Sequence, residues 1–206
     1  MESNFILFNS IVDDLVEKNY SLQIQKAPKQ ICLDLLEQAK NNTDKFNLAA
    51  MGRIKSKVKD KSIRRDKIKW ITGETQAELN WLSWCEELRV HLNRSLFLGL
   101  NNFECHFSMY EPGDFYKKHV DAFKGKSNRI VSMVLYLNEN WLPQHKGELV
   151  IYPENQLPIK VEPTLASFIV FLSECIPHEV VASRFDRYAI ACWFRIDDVK
   201  SAVKPL

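Results

Sequence analysis

Residues 166–195 read ASFIVFLSECIPHEVVASRFDRYAIACWFR, and the period of this stretch decides the fold class. Ala166–Leu172 and Arg187–Arg195 are short runs dense in Val, Ile, Phe, Tyr and Trp, with Glu179–Ala182 between them. Such runs read as β-strands, because branched and aromatic side chains pack well on a pleated surface. Upstream, Phe103–Tyr110, Ile130–Leu137, Glu148–Tyr152 and Ile159–Glu162 have the same character, separated by Pro, Gly, Asn and Asp. Many short strands at fairly regular spacing predict an antiparallel sandwich or barrel.

The first hundred residues have a helical period instead. Phe5, Phe8, Ile11, Val12, Leu15 and Val16 recur at helical spacing. Pro28 can open a second helix that carries Ile31, Leu35, Leu36 and Ala39 and ends near Asn41 and Asn42. Thr75–Leu98 is a third, with Leu79, Leu82, Leu88 and Leu92 inward, Thr72 as its cap and Gly99 past its end. Helices first and strands second predict an α+β layout, the helices packed on one face of a β-core.

The chain has 206 residues, 46% apolar and 26% charged, with a net charge of +2, an ordinary balance for a folded globular protein. Its apolar runs are too short to span a bilayer, and MESNFILFNS lacks the basic start and small-residue cleavage site of a secretory signal. Cys32, Cys85, Cys105, Cys175 and Cys192 are scattered without a CxxC pair, which argues against a zinc cluster and reads as buried thiols of a reduced, cytoplasmic protein. Residues 53–69 hold nine Lys or Arg against two Asp, so the basic character belongs to one segment and the remainder is net acidic. No aromatic residue is interleaved among Lys55, Lys57, Lys59 and Lys61, which speaks against a nucleic-acid platform. A solvated loop and a surface that steers an acidic protein substrate both fit this segment. Trp81, Trp84 and Trp141 read as core, and His91, His106 and His145 as structural or exposed.

The chemistry concentrates in three places. In His119-Val-Asp121 an extended strand would point both side chains to one face. His178, at the start of a strand, is the candidate third ligand. Two His and one carboxylate leave open positions on a metal and suit non-haem iron(II) oxygenases. Arg187 heads a strand in an apolar barrel and needs an anionic partner, which the far carboxylate of 2-oxoglutarate could supply to its two-pronged guanidinium. Taken singly, each has an ordinary explanation: an exposed polar pair, a strand-edge His, a salt-bridged Arg. The order and spacing of the set carry the reading.

Five segments also resemble a known family. They are Tyr110–Asp121 (YEPGDFYKKHVD), Arg129–Trp141 (RIVSMVLYLNENW), Gly147–Pro153 (GELVIYP), Pro177–Val180 (PHEV) and Arg187–Trp193 (RYAIACW). Together they look like the prolyl hydroxylases that act on hypoxia-inducible factor and their bacterial relatives. The resemblance covers roughly residues 63–197 and reaches upstream to Ile63–Gly73 (IRRDKIKWITG). It implies a double-stranded β-helix, or jelly roll, in one oxygenase domain spanning 1–206. Within it, 1–52 would be N-terminal helical support, 53–73 a basic mobile loop and strand, 74–100 a supporting helix and 101–197 the jelly-roll core.

The resemblance further implies trans-4-hydroxylation of a prolyl residue in a protein, with iron(II), 2-oxoglutarate and dioxygen, ascorbate as an accessory, and succinate and carbon dioxide as by-products. His119, Asp121 and His178 match the iron ligands, Arg187 and Tyr136 the 2-oxoglutarate carboxylate binders, and Tyr110 a tyrosine near its chelating end. Asp66 and Arg129 match a pair that positions loop or substrate, and Arg64, Tyr116 and Trp193 line the substrate side. Arg65 stands where the family often has Gly, which bears on loop conformation and substrate choice. The implied partner is a proline-containing protein, a translation factor such as elongation factor Tu among the candidates, met by a monomer; oxygen sensing is a further role of such enzymes. Two alternatives stay open: an oxygenase acting on another side chain, a nucleobase or a small molecule, and a non-catalytic jelly-roll binding module.

Overall fold

The computed structural model describes residues 2–49, 60–123 and 127–197. The expected basic run through Lys55, Lys57 and Lys59 lies outside the described residues.

Among the described residues three helices come first, as the period predicts: α1 (Glu2–Lys18), α2 (Lys29–Lys40) and α3 (Gln76–Leu96). In α1 the buried stripe is narrower than expected, made of Phe8, Ile11 and Leu15, while Phe5 and Val16 are exposed. The helix stops at Asn19, whose φ of 67° closes the last turn, as short amide side chains permit. Pro28 precedes α2, whose Cys32, Leu35, Leu36 and Ala39 are buried.

The start of α3 corrects the expected cap. Thr75, not Thr72, is the N-cap, and its Oγ1 accepts the N–H of Glu78 at 3.2 Å. Gly73, at φ +84°, turns the chain so that the backbone N–H groups of Thr72, Gly73 and Glu74 all donate to the buried Glu78 carboxylate. The inward face holds Trp81, Trp84, Cys85, Leu88 and Leu92. Leu79 is instead half exposed, because the turn at Gly73 leaves it on the outer flank.

Among the described residues eleven strands follow or intervene: β1 (Tyr20–Gln23), β2 (Asn47–Leu48), β3 (Lys67–Trp70), β4 (Asn102–Tyr110), β5 (Tyr116–His119), β6 (Arg129–Tyr136), β7 (Leu149–Ile151), β8 (Ile159–Val161), β9 (Phe168–Leu172), β10 (His178–Val180) and β11 (Arg187–Arg195). They form two antiparallel sheets, ordered β1-β9-β6-β11-β4-β3-β2 and β5-β10-β7-β8. The central pair is in continuous register from Arg187↔Tyr110 to Arg195↔Asn102.

Alternation along these strands separates two cores. Cys105, Phe107 and Met109 of β4 and Tyr188, Ile190, Cys192 and Phe194 of β11 face the helices, where they meet Trp81, Trp84 and Leu88. Tyr110, Tyr136, Ile169, Phe171 and Ala189 face the smaller sheet, against Leu149, Ile151 and Val180. The helices thus brace one side of the larger sheet, and its other side is free to build a site against the smaller one. Trp81 and Trp84 are core, as expected, but Trp141 is only half buried, on a loop where its Nε1–H donates to the Lys146 carbonyl at 3.0 Å. No described helix is long and apolar enough to cross a membrane.

Candidate active site

The short β5 ends at His119, and its partner β10 begins at His178, so strand pairing places these two residues opposite each other. Their rings are 4.3 Å apart. Asp121 joins them differently from the expected same-face strand pair. It lies in the bend after β5, and the turn of the chain, not the pleat, brings its carboxylate inward. Its oxygens stand 3.7 Å from His119 Nε2 and 3.8 Å from His178 Nε2. One donor atom from each residue falls within 4.8 Å of the others, a spacing that fits a single ion.

The backbone orients both rings. His119 Nδ1 pairs with the Lys117 carbonyl at 2.8 Å and His178 Nδ1 with the Ile176 carbonyl at 3.0 Å. A carbonyl fixes the proton on Nδ1, so each Nε2 offers its lone pair to the shared centre. Burial, helped by the adjacent His178, pushes His119 down to about 4, which keeps it neutral. Asp121 is largely enclosed, and burial opposes its charge. The facing His178 and His119 and the Ser132 hydroxyl, 2.7 Å away, nevertheless hold its carboxyl below the ordinary value. Two neutral imidazoles and one carboxylate form a donor set suited to a divalent transition metal.

Arg187 lies deeper, only 1% exposed. Its guanidinium carbon is 4.9 Å from the Tyr110 ring centre and 5.4 Å from that of Tyr136. Nε donates to the Gly147 carbonyl at 2.7 Å, while Nη2 is buried without a hydrogen-bond partner. The Tyr136 hydroxyl is likewise buried and unpartnered. Burial pushes both tyrosine hydroxyls up, so they stay protonated and can donate. Leaving a cationic donor and a phenol unsatisfied in an apolar cavity is costly, and an anion with two acceptor oxygens would relieve both.

A second group of side chains rims the metal-ligand set. Tyr116 stacks on His119 at 3.6 Å, and Arg64 covers Tyr116 at 4.3 Å. Arg64 grips Asp66 with two hydrogen bonds of 2.7 and 2.6 Å. Arg129 lies 3.8 Å above the Trp193 ring and binds Glu104 at 2.7 Å. Asp66 and Arg129 therefore do not pair with each other as expected. The fork of Arg64, two residues away on the same segment, occupies both Asp66 oxygens, and Glu104 offers Arg129 a nearer carboxylate. Arg65 is not among the residues of positive φ, so its backbone does not require glycine, and its side chain packs over Phe115 at 5.0 Å.

Two residues escaped the sequence reading, and His106, expected to be structural or exposed, is structural. Ser132 steadies Asp121, and its signal was a polar residue on the inward face of an apolar strand. Gly147 supplies the carbonyl for Arg187, and its φ of +77° explains why glycine stands there. His106 is buried between Trp70 and Trp193, at 5.3 and 5.2 Å.

Known proteins share this architecture. The family model of the 2OG-Fe(II) oxygenase superfamily matches residues 105–195. A Pseudomonas putida prolyl-4-hydroxylase superimposes with a TM-score of 0.85 at 35% identity, covering 92% of this chain and 100% of that one. A Trichoplax adhaerens prolyl hydroxylase, in complex with a hypoxia inducible factor oxygen degradation domain peptide fragment, superimposes with a TM-score of 0.85 at 27% identity over 94% and 91% of the two chains. Human Egl nine homolog 1 is 30% identical over 94% of this chain and 45% of its own length. The chain spans about half the length of the curated relatives it matches.

Proposed function

The chain belongs to the 2OG-Fe(II) oxygenase superfamily, and from that premise we propose that it hydroxylates a prolyl residue in a protein substrate to trans-4-hydroxyproline. In this reading the whole chain, 1–206, acts as one oxygenase domain. The observation that carries the co-substrate assignment is the pair of orphaned buried donors, Arg187 Nη2 and the Tyr136 hydroxyl, taken together with the gathered His119, Asp121 and His178 set.

His119, Asp121 and His178 would hold iron(II), and Arg187 and Tyr136 would receive the far carboxylate of 2-oxoglutarate. When bound, iron with 2-oxoglutarate and dioxygen supplies oxidation of an unactivated C–H bond, with release of succinate and carbon dioxide. The chain's own task is placement and exclusion of water. The carbonyls of Lys117 and Ile176 hold the imidazoles, Ser132 holds the carboxylate, and Gly147 holds the guanidinium. No side-chain acid or base is needed at the reacting carbon. Tyr110 closes the Arg187 side of the cavity. Arg64, Asp66, Tyr116, Arg129 and Trp193 rim the opening, where a prolyl segment would lie. Their charges are paired among themselves and with Glu104, which suits an uncharged ring.

Support for proline over other targets comes from the relatives, among them prolyl hydroxylases at 35% and 31% identity. The partner in this reading is a cytoplasmic protein with an accessible proline, and a translation factor such as elongation factor Tu is one candidate. The test is incubation of the iron-loaded protein with proline-containing peptides and 2-oxoglutarate, followed by mass spectrometry. We expect a product heavier by about 16 Da, one inserted oxygen, with matching succinate. His178→Ala should abolish both while leaving the circular-dichroism spectrum unchanged. Succinate release with oxygen inserted only into another residue or molecule would overturn the proline assignment. Full turnover by the His178 variant would overturn the ligand set.

A further inference from the structure

The structure gathers three of the five scattered cysteines. Cys85 of α3, Cys105 of β4 and Cys192 of β11 are all buried, and their sulfurs lie within 4.8 Å of one another. They sit on the helix side of the larger sheet, in the core with Trp81 and Trp84. Cys105 and Cys192 occupy directly opposed positions in the antiparallel register, and their sulfurs are 2.7 Å apart. Opposed residues of such a pair have Cα atoms about 4.5–5.5 Å apart, inside the range a disulfide bridges.

Two chemistries suit three converging thiols. A soft metal ion would need three thiolates held together in the apolar core, whereas disulfide formation needs only one sulfur deprotonated at a time. Burying thiolate charge is expensive. A disulfide is neutral, needs only two of the sulfurs, and adds no buried charge. The electrostatics therefore favour a redox pair over a metal centre.

We infer that Cys105 and Cys192 form a peroxide-oxidisable dithiol, with Cys85 as the third sulfur able to exchange with it. The thiols differ in readiness. Burial works against a charge on Cys105, but its sulfur contacts with Cys192 and Cys85 bring it down to about 6. The Trp81 indole N–H, buried without a hydrogen-bond partner, acts in the same direction. Burial raises the other two thiols well above their ordinary value. The opposed sulfurs of Cys105 and Cys192 can serve as the attacking and resolving pair.

The steps balance. The Cys105 thiolate attacks one oxygen of hydrogen peroxide, the O–O bond breaks, and hydroxide leaves and takes up a proton to become water. The resulting sulfenic acid is attacked by the Cys192 sulfur. An S–S bond forms, the S–OH bond breaks, and a second water leaves with the Cys192 proton. Two thiols are oxidised and one peroxide is reduced. The link would join residues 87 apart in sequence and fasten β4 to β11 beside Trp193. It would stiffen the two strands that carry Tyr110 and Arg187.

The test uses the full chain, freed of metal with a chelator and exposed to hydrogen peroxide, then unfolded and alkylated at acidic pH. Peptide mapping should find the Cys105 peptide joined to the Cys192 peptide, lighter by about 2 Da for the two hydrogens lost. The same link should form in Cys175→Ser, which removes the exposed thiol. In Cys192→Val, a swap that keeps an apolar branched residue on the strand, Cys105 should instead link to Cys85 or gain about 16 Da as sulfenic acid. Retention of one zinc or copper ion per untreated chain, lost on mutation of Cys105, would overturn the inference in favour of a metal. Full alkylation of Cys105 and Cys192 after peroxide has consumed Cys175 would also overturn it.

Discussion

The Arg187 guanidinium donates through Nε to the carbonyl oxygen of Gly147, 2.7 Å away, while its Nη2 is buried without a partner. Gly147 cannot easily be replaced. A Cβ there would stand 3.1 Å from Ser183 and 3.2 Å from Arg187 Cδ, at a φ of +77°. Gly147→Ala should therefore displace Arg187 and raise the KM for 2-oxoglutarate by about 10-fold, roughly 1.4 kcal/mol of lost binding. Steady-state kinetics at saturating peptide will check this, and an unchanged KM would refute the positioning role.

An unpaired buried cation also predicts a thermal response to ligand. At a co-substrate concentration about 100 times its Kd, binding stabilises the folded state by about 2.7 kcal/mol. For a chain of this size that shift is roughly 5–10 °C in melting temperature. Arg187→Met should melt at or above the wild-type temperature without ligand, because it removes the orphaned charge, and should lose the shift. Differential scanning fluorimetry with manganese(II) in place of iron separates the two effects.

Ser132→Ala tests the support beneath Asp121. The hydroxyl lost is the donor 2.7 Å from the carboxylate. Removal of such a supporting hydrogen bond typically weakens metal affinity by about 10-fold or more. Manganese(II) titration should show that loss, with the KM for 2-oxoglutarate at saturating metal close to wild type. An equal loss in both would mean that Ser132 shapes the whole cavity instead.

His106 gives the fold a pH dependence. Burial pushes it from the ordinary 6.5 down to about 4, so the folded chain keeps it neutral where the unfolded chain binds a proton. Its stabilising contribution is complete above the unfolded value and is lost as pH falls toward the folded one, at up to about 1.4 kcal/mol per pH unit. His106→Phe keeps a ring between Trp70 and Trp193 and removes the titration. In urea unfolding at about pH 7 and about pH 5, the wild type should lose about 1–2 kcal/mol more than the variant. Equal losses would show that other groups carry the acid sensitivity.

Much of this was legible in the sequence, for reasons that differ by element. Long strands such as Arg187–Arg195 are buried on both faces, so their apolar density is unmistakable. Edge elements were not. Tyr20–Gln23 and Tyr116–His119 carry polar residues that mask the strand period. The convergence of His119, Asp121 and His178 followed from residue type and order, although the bend after β5 replaced the expected strand geometry. Choice among competing ion pairs was out of reach. Nothing in the spacing says that Arg64 outcompetes Arg129 for Asp66, because that depends on distances across strands. The cysteine triad was invisible for the same reason: its members approach one another only in the packed core.

The unbroken β4–β11 register has a consequence for how this chain can change length. Tyr110 and Arg187 share a face with Trp193, whereas Cys105 and Cys192 share the other. One residue gained or lost within either strand would exchange the two sets, sending the arginine toward the helices and sulfur toward the cavity. Insertions and deletions are therefore tolerated only beyond the paired ends, in turns such as 111–115. Length variation among natural or engineered descendants should collect there, leaving the ladder itself as a fixed ruler.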